Sequence, residues 1–306
     1  MNTQIGSYKK QDKESPVRPA TIKKKKEKEK FRNGTAVFTT IPNNNKDGFK
    51  IPNKIVINSK DIENSPKISV LNVSSEGLFN KEDKLLFNAN GLIDKGRANK
   101  DGVVYYTSRA NKEQLDYVLN TDYLPSHTEK DNNYIFATYY VKESNSYNIN
   151  FYHKTIPTQS EKPLTFYESY LMFIQVDHII PVKLLLKEVI KIGDIILEFI
   201  PITGGLLTVV NVTDNNSKLI FHPQDKQITI GRSEECVIRF ESEKNISKVQ
   251  VTIDYVVKCG CWFLKDGNEE KASTNGTMLY AINEYPLYDG LIACIDNKPI
   301  QFQFEA

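Results

Sequence analysis

The 306-residue chain has few of the side chains that most often carry catalysis or hold metal: four cysteines, four histidines, three methionines and a single tryptophan. The histidines, His127, His153, His178 and His222, are scattered, and none accompanies a serine or cysteine in a nucleophile motif. Cys259-Gly-Cys261 has neither a second cysteine pair nor a histidine at zinc spacing, so buried or edge thiols are expected there and not a metal site. A glycine-rich nucleotide loop is also lacking, and the reading is of a non-enzyme without a cofactor. No apolar run approaches the roughly 18 residues of a membrane helix. The best, residues 190–202, is interrupted by Lys191, Asp194, Glu198 and Pro201. No charged-then-apolar leader opens the chain, and with so few cysteines a reduced, cytoplasmic setting is expected. Asn-x-Thr triplets such as Asn211-Val-Thr213 then read as chance matches.

What is present is unevenly distributed. The net charge of +2 conceals a basic start: residues 1–34 carry 11 Lys+Arg against 4 Asp+Glu, leaving the remainder acidic by five charges. Residues 1–48 form a polar arm that cannot offset the entropy of ordering by burial, so disorder in isolation is expected. Its densest part is the run Lys23, Lys24, Lys25, Lys26, Lys28 and Lys30, broken only by Glu27 and Glu29. That run is read either as a solubilising arm or as a docking arm for an acidic partner.

From about residue 49 the pattern becomes that of short strands, rich in Ile, Val, Tyr and Phe and punctuated by turn formers. Runs at 54–57, 68–71, 103–106, 134–141 and 149–152 lead to the segment 189–199, read as two strands joined at Gly193-Asp194. This hairpin is expected to close a first sandwich. Pro201-Ile-Thr-Gly-Gly205 is read as a hinge. A second strand series follows at 206–212, 217–221, 227–230, 237–240, 249–256, 262–264, 278–280, 291–295 and 300–304. The predicted organisation is all-β: an arm over 1–48, one β-sandwich over 49–202 and a second over 203–306.

Three segments of the second series carry chemistry. Gly231-Arg232 places a guanidinium where a strand becomes loop, able to fork onto a dianionic phosphate. Ser247 supplies a hydroxyl just before the next strand, with Lys248 as a second cation at the rim. Ser273-Thr274-Asn275-Gly276-Thr277 supplies a tight turn whose asparagine can bond the main chain of a bound peptide. The bland alternatives are turn glycines, an Arg232 paired with Glu234 or Glu235, and a Ser247 that only caps its loop.

These segments resemble the forkhead-associated (FHA) domain family. Its pattern is Gly-Arg, then Ser-x-x-His, then an aspartate and Ser-x-Asn-Gly-Thr. Gly231-Arg232, Ser247-Lys-Val-Gln250, Asp266 and Ser273-Thr-Asn-Gly-Thr277 follow it in order, over about residues 205–305. The resemblance implies a two-sheet sandwich that binds a phosphothreonine peptide without catalysis. By it, Arg232 and Ser247 hold the phosphate, Thr274 lines the pocket, Asn275 bonds the peptide backbone, Lys248 assists, and Gly231 and Gly276 serve turns. The departure is Gln250, where the family has a histidine that buttresses the loops from behind.

Residues 90–106 and 189–199 resemble the opening and close of a second, degenerate FHA-like module, as in tandem-FHA proteins of ciliated protists. Gly96-Arg97 has no Ser-x-x-His or Asn-Gly turn after it. The function expected is therefore a phosphopeptide-binding adaptor or scaffold whose partner is a phosphorylated protein. The rival is a structural part of a cytoskeletal or axonemal assembly, located in the cytoskeleton or cilium, with the arm on an acidic surface such as tubulin. Nucleic-acid binding through the arm ranks last, since no aromatic residues interleave the lysines.

Overall fold

The computed structural model describes residues 59–74, 77–79, 84–93, 103–107, 117–121, 134–152, 167, 170–184, 186–214 and 216–305. The arm, the run 54–57 and Gly96-Arg97 lie outside the described residues. Within them the protein is all-β, as the alternation of apolar and polar residues predicts. A six-residue helix, α1 (Ser59–Asn64), is followed by strands gathered into three sheets.

The largest sheet has eleven strands. From one edge to the other they are β13 (Ser217–Phe221), β12 (Leu206–Asn211), β11 (Ile195–Ile202), β10 (Glu188–Ile192), β18 (Met278–Tyr280), β8 (Met172–Gln175), β20 (Ile292–Ile295), β21 (Lys298–Glu305), β1 (Lys67–Asn72), β2 (Leu85–Asn88) and β3 (Gly91–Leu92). A second sheet orders β15 (Ile238–Arg239), β14 (Gln227–Gly231), β16 (Val251–Val256), β17 (Cys261–Asp266) and β9 (Val182–Leu184). A third orders β19 (Glu284–Pro286), β7 (Ser146–Phe151), β6 (Tyr134–Val141), β4 (Val103–Thr107) and β5 (Tyr117–Val118).

Period-two alternation sets the inner face of strands such as β17 and β21. On β17 the side chains of Trp262, Leu264 and Asp266 are buried while those between them are partly exposed; on β21 Ile300 and Phe302 point inward. One core cluster draws on all three sheets, with Phe199 and Leu207 from the largest, Ile253 and Trp262 from the second and Phe136 and Ile149 from the third. Tight turns keep neighbouring strands in register. Asp296 and Asn297 both adopt positive φ (52° and 58°) between β20 and β21, the backbone of a two-residue hairpin whose twist matches its strands.

Two expectations need correction. The hairpin β10–β11, expected to close the first sandwich, pairs with β12 on one side and β18 on the other, both from the second strand series. Likewise β20 and β21, expected in the second sandwich, pair with β8 and β1. The sheets therefore do not divide at residue 202. Nor are residues 201–205 a hinge: β11 continues through Ile202, and Thr203, Gly204 and Gly205 form a tight turn into β12, with Gly205 N–H donating to Ile202 O at 3.2 Å. Two glycines at positive φ made that turn possible, and a glycine pair reads the same in a turn as in a hinge. The strands β2, β3, β5, β8, β9 and β19, two to four residues long, were not anticipated from the sequence.

Candidate phosphopeptide site

The site begins at the end of β14. Ile228 and Ile230 anchor this strand in the core, and Gly231 then passes so close to the next loop that a Cβ would lie 2.2 Å from Lys248 O. Close approach is what lets the two loops bond: Arg232 N–H donates to Ser247 O and Ser233 N–H to Lys248 O, each at 3.1 Å. The main chain of Arg232 is thus tied beside Ser247. Its side chain is exposed, as is that of Lys248, and neither forms an ion pair or side-chain hydrogen bond among the described residues. The Arg232–Glu234 and Arg232–Glu235 pairs are not formed, so both cations at the rim are without a side-chain partner among the described residues.

Behind the loops lies Gln250, 1% exposed. Its Oε1 accepts from Ser247 N–H (2.9 Å), and its Nε2 donates to Ser273 Oγ and Gly276 O (both 2.7 Å), with Thr277 Oγ1 at 3.3 Å. One amide therefore clamps the Ser247 loop to the Ser273–Thr277 turn. Its acceptor faces one loop and its two N–H groups the other.

Asp266, also buried, completes the clamp. Ser273 donates to it through N–H (2.8 Å) and Oγ (2.7 Å), and Thr277 Oγ1 donates at 2.6 Å. Ser273 Oγ thus gives its proton to Asp266 and accepts from Gln250, a closed arrangement with no spare donor. Such charge-assisted bonds in a water-poor setting are the stronger kind.

On the outer side, Ser247 Oγ accepts from Thr274 N–H at 2.9 Å, which leaves its own hydroxyl proton available. Asn275 Nδ2 donates to Asn245 O at 2.7 Å, fixing the exposed side chain across the two loops with its Oδ1 uncommitted by any bond to the described residues. Gly276 takes φ of +71° to turn the chain. Thr274 is exposed beside Ser247. The structure thus brings Arg232, Ser247, Lys248, Thr274 and Asn275 onto adjoining loops over one buried clamp.

Residues 228–292 match the family model of the FHA domain. The chain carries an FHA domain. FHA domains are non-catalytic modules that bind phosphorylated peptides and mediate protein–protein interaction. No curated protein and no solved structure matches the chain. No helix among the described residues is long and apolar enough to cross a membrane, and these residues hold no group of three potential metal-ligating His, Cys, Asp or Glu side chains.

Three contributors to the FHA site were not visible in sequence. Asn245 supplies the carbonyl that orients Asn275. Asp177 O accepts from Asp266 N–H (3.2 Å), and Val176 N–H donates to Thr277 O (2.9 Å), so the segment after β8 braces the clamp from behind. Val176 and Asp177 lie outside the matched residues, and none of the three belongs to a motif. Finally, Cys236 Sγ donates to Lys248 O at 3.1 Å, and burial pushes its thiol pKa up, which marks it as packing and not as a reactive group.

Proposed function

We propose that this protein is a phosphothreonine-peptide-binding adaptor, acting through the FHA domain, with Arg232 and Ser247 on the phosphate, Lys248 at the rim, Thr274 lining the pocket and Asn275 on the peptide main chain. The observation that carries the reading is the contrast at one loop end. Every polar group of the buried clamp is mutually satisfied, while the cations above it have no partner among the described residues. A fold retained only for packing needs the clamp but not the free Arg232. The uncommitted hydroxyl proton of Ser247 and the Oδ1 of Asn275 add a donor for phosphate oxygen and an acceptor for a peptide N–H.

In this proposal the basic run Lys23–Lys30 meets an acidic surface of the same partner, strengthening attachment by charge, and the contact weakens with added salt. The test is a panel of phosphothreonine, phosphoserine and unphosphorylated peptides titrated against the full chain. Preference for phosphothreonine, lost in Arg232→Ala by roughly 10- to 100-fold, is the expected result, since a charge-assisted bond contributes about 1.5–3 kcal/mol. Equal binding of phosphorylated and plain peptides would overturn the reading.

A further inference from the structure

The second and third sheets repeat one plan. In each, a two-residue edge strand runs parallel to its neighbour, β15 on β14 and β5 on β4. An antiparallel pair follows, β16–β17 and β6–β7. The last place goes to a three-residue strand from elsewhere in the chain, β9 in one sheet and β19 in the other. The eleven-stranded sheet repeats as well: β13-β12-β11-β10-β18 read inward from one side matches β2-β1-β21-β20-β8 read from the other, with β3 added at that edge.

Along the chain each copy is a set of strands followed by a trailing group of three. The strands β1–β8 are followed by β9–β11, and β12–β18 by β19–β21. In space the trailing groups have changed places. Strands β9, β10 and β11 pair with β17, β18 and β12, while β19 pairs with β7, β20 with β8 and β21 with β1.

We infer that two related sandwiches have reciprocally exchanged their closing strands within one chain, so that the sandwich bearing Arg232 is the contiguous stretch from β9 to β18, set into a sandwich built from the strands on either side of it. The inference concerns how the site is built and stands whether or not the site binds phosphate.

The turn 203–205 enforces this arrangement. If β11 took the place of β21 beside β1, it would lie six strand positions from β12. At 4.7–4.9 Å per strand that is about 29 Å. A three-residue connection reaches only about 14 Å even fully extended. The crossing point is also bonded. Buried Glu188, the first residue of β10, accepts from Asn283 Nδ2 (2.8 Å) and Tyr285 OH (2.9 Å), which lie at the start of the other trailing group. The link from β8 to β9 runs behind the Gln250 clamp and contributes Val176 and Asp177 to it. The site consequently depends on residues 176–202, which precede the matched FHA segment.

The test uses the full chain with its four cysteines replaced by serine or alanine and cysteine pairs introduced on the sheets. Ser69 on β1 faces Gln303 on β21, as Thr208 on β12 faces Ile200 on β11. In the exchanged fold Ser69→Cys/Gln303→Cys closes to a disulfide within the monomer under mild oxidation, and Ser69→Cys/Ile200→Cys stays reduced. Closure of the second pair, failure of the first to close, or a disulfide-linked dimer from the first would each overturn the inference, the last by placing the exchange between two chains. Should the replacements disturb folding, interstrand amide contacts between β1 and β21 in the unmodified chain read the same point by nuclear magnetic resonance: their presence supports the exchange and contacts between β1 and β11 overturn it.

Discussion

Gln250 shows how a side chain can take over a structural role through donor and acceptor count. The FHA pattern has histidine there, and the amide answers with one acceptor for Ser247 N–H and two N–H groups for the opposite loop. Removing it leaves the partly buried Ser247 amide and Gly276 carbonyl without this partner, at up to about 1–3 kcal/mol each. Gln250→Ala is therefore expected to lower the urea midpoint and to weaken peptide binding together, whereas Arg232→Ala should weaken binding at unchanged midpoint. Gly231→Ala is expected to cost about 2–4 kcal/mol by denaturant titration, because its Cβ would meet main-chain atoms of Lys248 that cannot move without breaking the inter-loop bonds.

Glu188 carries a pH dependence. Burial raises its pKa from 4.5 to about 8, against the opposing hydrogen bonds from Tyr285 and Asn283. Since the folded chain holds this proton up to higher pH than the unfolded chain, stability declines as pH rises from about 4.5 to 8 and is level on either side. Unfolding midpoints at pH 5, 7 and 9 should fall in that order, and Glu188→Gln, whose single oxygen can accept from Asn283 while its NH2 donates to the Tyr285 hydroxyl, should reduce the decline.

At the scale of elements, turn chemistry decides register. Asn297 sits in the left-handed region, which disfavours most side chains by about 1–2 kcal/mol. Asn297→Ala is expected to destabilise by about 1 kcal/mol and Asn297→Gly to be tolerated, as thermal melts would register. The longer strands were legible in sequence because an apolar run is a local signal: 134–141 and 206–211 are near-continuous apolar stretches, buried along most of their length. Short strands such as β9 and β19 were not. β18 is equally short but was legible as the run Met278-Leu-Tyr280, whereas Val182-Lys-Leu184 and Glu284-Tyr-Pro286 each carry a charged residue among three and are placed by the strand beside them.

For the whole molecule, one core shared by three sheets implies cooperative unfolding. The only tryptophan, Trp262, is buried in the second sheet and bonds Gly205 O in the turn between β11 and β12. Its fluorescence reports that region alone, while far-ultraviolet circular dichroism reports every strand. The two signals are expected to change at one denaturant concentration; separate midpoints would mean that the sandwiches unfold independently.

The sequence by itself determined that the chain is all-β and that its FHA domain lies in the last third, and it nominated Arg232, Ser247, Lys248, Thr274 and Asn275 as the candidate site residues. These follow from residue type and spacing over a few positions. Only the tertiary structure decided which strands close which sheet, that residues 201–205 are a turn, and that Gln250 clamps the loops. Strand pairing is a competition between distant segments, and the apolar alternation of β10–β11 suits a place beside β1 as well as one beside β12. A three-residue turn, invisible to that alternation, settled the choice.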